Sequence, residues 1–124
     1  MITHAIKTIC RSLDRPDEMR EMGRAKLELV HLEDRVIARI TLKPGWRWDT
    51  DIKPLVGTET CLVPHEQYVI SGRLAIEMDD GTRFEAKAGD VVVIPPGHNA
   101  YVVGDEPVVA IDFLGMMDYG KPNE

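Results

Sequence analysis

Four side chains in this 124-residue chain could share a metal ion or a reaction: Glu59, Cys61, His65 and His98. A thiolate with two imidazoles suits zinc, iron(II), nickel or copper, and three protein ligands leave a coordination position open for water or substrate. Glu59 is the candidate fourth ligand. Because an imidazole beside a carboxylate titrates near neutral pH, His65, as general base, and Glu59 are also the candidate catalytic groups. Glu59 and Cys61 stand two apart, so on a strand they would share a face. His65 begins a new stretch after Pro64, with Gln67 and Val69 on its face.

Three of these residues also have a plainer use. Cys61 can be a small buried hydrophobe, and His98, following Pro96-Gly97, can hydrogen-bond its own turn. A buried His65 can be satisfied by Glu59 or Gln67. His4 and His31 lack comparable neighbours and are expected at surface or satisfied edge positions.

The elements that must position these groups are short and alternate with period two. Leu27, Leu29 and His31, then Val36, Ala38, Ile40 and Leu42, predict a hairpin turning at Glu33-Asp34. Arg73–Met78 and Thr82–Lys87 flank the turn Asp80-Gly81. Val91–Ile94 is a short apolar run ending at Pro95-Pro96-Gly97, and Tyr101–Val103 and Val108–Phe113 flank Gly104-Asp-Glu-Pro107. Ser12 to Gly23, with an early proline, acidic residues and a closing glycine, predicts one short helix. Trp46 and Trp48 fall on one side of an extended chain, as rings covering the core or a dimer seam or, alternatively, stacking on a ligand. Asp49 to Pro54 reads as a loop. About eight short strands with at most a short N-terminal helix predict an all-β antiparallel sandwich or barrel.

Composition narrows the partners. Fifteen Lys and Arg against 21 Asp and Glu give a net charge of -6, which disfavours nucleic acid and anionic membrane surfaces. No apolar run approaches the roughly 18 residues of a membrane span, and the first 15 residues do not resemble a signal peptide, so a cytoplasmic location is expected. There Cys10 and Cys61 would be free thiols. Neither a Ser/His/Asp order, a phosphate-binding glycine loop nor a Cys-x-x-Cys pair competes with the residues above.

Tyr68-Val-Ile-Ser-Gly72-Arg-Leu74, Asp80-Gly81, Gly89-Asp90 and Pro95-Pro96-Gly97 resemble the cupins, and specifically small single-domain cupins. That resemblance runs from about Lys43 to Phe113 and implies a jelly-roll β-barrel. It divides the chain into an N-terminal segment, 1–25, packing on the barrel or a dimer seam, a barrel, 26–115, and a C-terminal tail, 116–124, whose end at Lys121–Glu124 is expected to be disordered. The family's glycine and proline framework is kept, whereas its ligand positions are rewritten. Glu59, Cys61 and His65 stand where His, His and Glu would be expected, and Ala100 stands where the last His would be.

The family fold would turn Glu59 and Cys61 inward, and His98, displaced from the usual ligand position by about 7 Å along its strand, would point inward too. Cys61, His65 and His98, with Glu59 as a fourth ligand, are then the expected metal set. Glu59, Cys61, His65, Gln67, His98 and Tyr101 are the expected pocket for a small-molecule ligand. Binding of a metal or small ligand ranks first, a metal-dependent dioxygenase, isomerase or lyase second, and a structural dimer with a vestigial pocket third. The family also implies a homodimer.

Overall fold

Period-two alternation sets most of the architecture, since each strand turns its apolar residues to one side and hides them against a second sheet. The computed structural model describes residues 7–116 and 119–120. Its elements are β1 (Glu18–Met22), β2 (Ala25–Leu32), β3 (Arg35–Leu42), α1 (Trp48–Asp51), α2 (Lys53–Val56), β4 (His65–Ser71), β5 (Arg73–Met78), β6 (Arg83–Lys87), β7 (Val91–Ile94), β8 (His98–Val102) and β9 (Val108–Asp112). They form a six-stranded sheet, β1-β2-β3-β9-β4-β7, and a three-stranded one, β6-β5-β8, in which every pairing is antiparallel. Leu27, Leu29, Ala38, Ile40, Val69, Ile76 and Val108 fill the core. This is the expected all-β jelly roll.

The β2–β3 hairpin has the expected faces and turn, with Leu32 paired to Arg35 across Glu33-Asp34. His31 shares the parity of Leu27 and Leu29 but is exposed near the end of β2, 3.7 Å from Glu18. Two local expectations fail. Where the sequence predicts a helix across Ser12–Gly23, the chain forms β1, because Met22 pairs with Ala25 and Glu18 with Leu29. Gly23, at φ 57°, is the corner of that hairpin rather than a helix stop. Backbone pairing with β2 outweighs the weak local preference of a short acidic segment.

The stretch read as a loop at Asp49–Pro54 instead holds α1 and α2. Trp48 and Ile52 are buried four residues apart and Val56 packs beside them, so two helical turns present one apolar face to the barrel. Gly57, left-handed at φ 83°, closes α2 with its N–H on the Lys53 carbonyl. Both tryptophans are core residues. His4 and the Lys121–Glu124 tail lie outside the described residues. Among the described residues no helix is long and apolar enough to cross a membrane.

The sheets are joined at Gly72, between β4 and β5. Its φ is +82°, and a Cβ there would strike the Pro107 carbonyl oxygen and come within 2.8 Å of Val108 Cα. Gly72→Ala therefore combines a left-handed backbone penalty of about 1–2 kcal/mol with a clash against backbone. We expect a loss of at least about 2 kcal/mol, of the order of 10 °C in thermal midpoint. Thermal unfolding followed by circular dichroism checks it, and an unchanged midpoint contradicts it.

Candidate metal centre

Three neighbouring chain segments deliver the chemistry. His65 opens β4 opposite Ile94 of β7, and His98 opens β8. Cys61 belongs to no strand but forms an isolated bridge to His98: its N–H donates to the His98 carbonyl at 2.8 Å, and its own carbonyl accepts from Gly97 N–H at 2.8 Å. Backbone pairing thus fixes the cysteine against the start of β8. All three side chains are buried. Cys61 Sγ lies 3.8 Å from His65 Nε2, and one donor atom from each of the three residues falls within 4.8 Å of the others.

The partners of the two rings decide which nitrogen is bare. His65 Nδ1 is 2.7 Å from Asp112 Oδ2, and His98 Nδ1 is 2.8 Å from the Pro95 carbonyl. Both oxygens accept, so both Nδ1 atoms carry the proton, and in the neutral rings each Nε2 keeps its lone pair. A carboxylate behind a histidine that offers its other nitrogen is the usual outer support of a metal ligand. Asp112 is fully buried, and its remaining capacity is taken by Gln67 Nε2 at 2.8 Å and Leu114 N–H at 2.8 Å.

Burial pushes the Cys61 thiol up to about 11, with the Asp112 charge adding to the rise and Val63 and Trp48 opposing it. Burial also lowers His98 to about 4, with His65 adding to the fall and the Pro95 hydrogen bond opposing it. His98 is therefore neutral at pH 7. Beside them, His65 and His98 line a cavity of about 30 Å³ with Trp46, Trp48, Gln67 and Tyr119. Ile40, Leu74 and Met116 also line it. Tyr119 packs edge-on to His65 at 5.4 Å between ring centroids. Arg20 of β1 holds that part of the chain, donating to the Met116 and Tyr119 carbonyls at 3.2 and 2.9 Å.

Of the residues expected here, the structure brings together Cys61, His65, Gln67 and His98. It does not bring in Glu59 or Tyr101. Glu59 sits on a bend rather than a strand, so the two-residue spacing to Cys61 gives no shared face; its side chain is 94% exposed and pairs with Lys53 at 3.1 Å. Tyr101 is three residues from His98 on β8, an odd spacing that turns it to the outer face, where Arg47 stacks on it at 4.7 Å. Ala100, at the usual family ligand position, is a buried core residue.

Sequence reasoning missed Asp112 and Tyr119. For Asp112 a signal existed: Val108, Ala110 and Asp112 share the inward parity of β9, and a carboxylate at a core position demands partners. No period marks Tyr119.

A family model described as "Cupin domain" matches residues 63–114. Among proteins of curated function none matches the sequence. Among solved structures, a Rhizobium leguminosarum protein of unknown function aligns with a TM-score of 0.64 at 20% identity, covering 95% of this chain and 100% of its own. KdgF from a Halomonas species aligns with a TM-score of 0.59 at 16% identity, over 89% of this chain and 94% of its own. Bacillus subtilis oxalate decarboxylase, a protein with Mn(II) centres, aligns with a TM-score of 0.54 at 24% identity, over 83% of this chain but 28% of its own. At these identities the likeness is one of fold.

The depressed His98 predicts acid sensitivity of the metal-free protein. Its folded value of about 4 lies below the ordinary 6.5, so the unfolded chain binds the proton more readily. The contribution is complete above about pH 6.5 and is lost as pH falls toward 4, roughly 3 kcal/mol in all. Denaturant titrations between pH 7 and 4 should show this slope and show it flattened in His98→Gln; equal slopes would contradict the assignment.

Proposed function

The chain carries a cupin domain, and on that premise we propose that it binds one divalent transition-metal ion through Cys61 Sγ, His65 Nε2 and His98 Nε2. The observation that carries this reading is the convergence of the three donor atoms within 4.8 Å, with both Nδ1–H groups already committed elsewhere. At ordinary bond lengths a tetrahedral zinc ion spaces such atoms by about 3.3–3.6 Å, so a small inward shift of the side chains suffices. Charge supports it as well. A Cys61 thiolate and the buried Asp112 carboxylate would balance one divalent cation, whereas among the described residues Asp112 meets no cation other than a protonated His65. Zinc fits a mixed sulfur and nitrogen set best, with iron(II), nickel and copper as competitors.

Cavity size separates the ion from a larger ligand. Pockets for organic ligands usually span some 300–1,000 Å³, and about 30 Å³ accommodates an ion with one or two water-sized ligands. A second reading, metal-dependent catalysis of the dioxygenase, isomerase or lyase kind, shares this geometry because three protein ligands leave a position open. When bound, the ion would supply Lewis acidity there. The residues would orient His65 through Asp112 and exclude water with the indole and phenol rings. Free thiols at Cys10 and Cys61 suit a reducing, cytoplasmic setting.

The homodimer reading draws support from the outer face of the larger sheet. Val91 and Val93 on edge strand β7 are 76% and 67% exposed, and Tyr68 and Ile70 of neighbouring β4 extend the same apolar surface. A second copy is the occupant we assign to it. Sedimentation should give a dimer that Val91→Lys with Val93→Lys converts to monomer, and a wild-type monomer at micromolar concentration would dismiss it.

Equilibrium dialysis followed by elemental analysis tests the metal reading. We expect one zinc per chain, abolished in Cys61→Ser and His65→Gln, and an affinity lowered about 10–100-fold in Asp112→Asn. Stoichiometric zinc retained in both Cys61→Ser and His65→Gln, or none in wild type, would overturn it.

A further inference from the structure

Trp46 and Trp48 raise a question that core packing does not answer. Each indole is buried, at 3% and 2% exposure, and neither Nε1–H meets an acceptor within hydrogen-bond distance, although the Trp48 N–H lies near enough to the Cys61 sulfur to oppose the rise of its thiol, so Trp46 is the donor left wholly unanswered. Leaving a buried donor without a partner is unfavourable, and each such group calls for an explanation. Both rings line the cavity that His65 and His98 border. The other polar groups on that wall are committed in part: Gln67 Nε2 and both His Nδ1 atoms already donate. No lysine or arginine lines the cavity among the described residues.

We infer that the open side of the Cys61/His65/His98 site takes a small anion, of water to formate or azide size, whose acceptor atoms receive the indole N–H groups of Trp46 and Trp48. This rests on the metal reading above, which it deepens by assigning the class of the exogenous ligand and the residues that select it. The chemistry follows from what the wall offers: donors without acceptors, next to a centre that one divalent ion would leave close to neutral. An acceptor-only ligand satisfies the orphaned donors, and because the ion's charge is already balanced, the anion is held by the open coordination position and by the N–H dipoles in a dry setting where such bonds are strong. Size is limited by the cavity, at about 30 Å³. Larger organic anions are excluded by Ile40, Leu74 and Met116 on the same wall.

The chain contains only two tryptophans, so an indole-region ¹H–¹⁵N spectrum has two signals to follow. Zinc-loaded full-length protein titrated with sodium azide should show both signals moving downfield and saturating in the millimolar range. Azide affinity should fall at least about tenfold in Trp46→Phe, in keeping with one lost hydrogen bond to a charged group, while zinc affinity measured by dialysis on the same samples stays within about threefold. Because a smaller ring loosens the core, replacing both tryptophans with benzothienylalanine, which keeps the shape and lacks the N–H, provides the second variant and should weaken azide as much or more. Azide that binds without moving the indole signals, azide affinity unchanged in both variants, or no azide binding to the zinc-loaded protein would overturn the inference and leave the metal reading standing. Failure of zinc itself to bind would overturn both.

Discussion

A carboxylate with no exposure to solvent has to be answered by its surroundings, and Asp112 is the point on which this structure turns. Three donors converge on it, from His65, Gln67 and the Leu114 backbone. Removing a charge from water costs several kcal/mol unless hydrogen bonds and an opposite charge compensate. The compensation here ties the end of β9 to the start of β4, fixes the tautomer of His65, and turns its Nε2 toward Cys61. A side chain that is unfavourable as core filler becomes reasonable as the support of a ligand. The same constraint explains why Gln67, rather than an apolar residue, occupies the neighbouring inward position of β4.

Cys61 reaches the site by a different device. Most inward positions in the barrel are set by strand parity, but this residue is held by a single backbone bridge to His98, with Gly97 and His98 N–H groups both reaching its carbonyl. Gly97, at φ 90°, allows that close return of the chain. The arrangement places a thiol beside an imidazole without a strand, so two potential ligands from distant parts of the sequence move together with one short stretch of backbone. The cost is a thiol in dry surroundings that resists ionisation, which a cation would relieve.

The aromatic side chains serve packing and the site at once. Trp46, Trp48 and Tyr119 exclude water from the two histidines, and Arg20 on β1 anchors the segment that carries Tyr119. In this way a strand at the far edge of the larger sheet contributes to the closure of a cavity it does not line. The indoles bring apolar bulk with one polar atom each, and apolar packing leaves that atom unanswered.

The jelly roll was legible in the chain because alternation, turn glycines and Asp80-Gly81 are local signals, and His65 and Gln67 could be selected from residue type and strand parity, whereas Cys61 and His98 were placed inward by the family resemblance. Parity failed where its premise failed: Glu59 lies on a bend, and Tyr101 is an odd number of residues from His98. The segment before Gly23 became a strand because its partner, β2, supplies hydrogen bonds that local preference cannot anticipate. Asp112 and Tyr119 lie 47 and 54 positions from His65 in sequence, and no spacing rule joins them. What the sequence by itself determined is the all-β class, most of the strands from β2 onward and the inward residues of those strands, since these follow from interactions between near neighbours. Which of these residues meet, which ring nitrogen is left bare, and which buried donors go unanswered were decided only by the tertiary structure, because the register of β9 on β4 and the docking of Cys61 on β8 bring distant groups within hydrogen-bond reach.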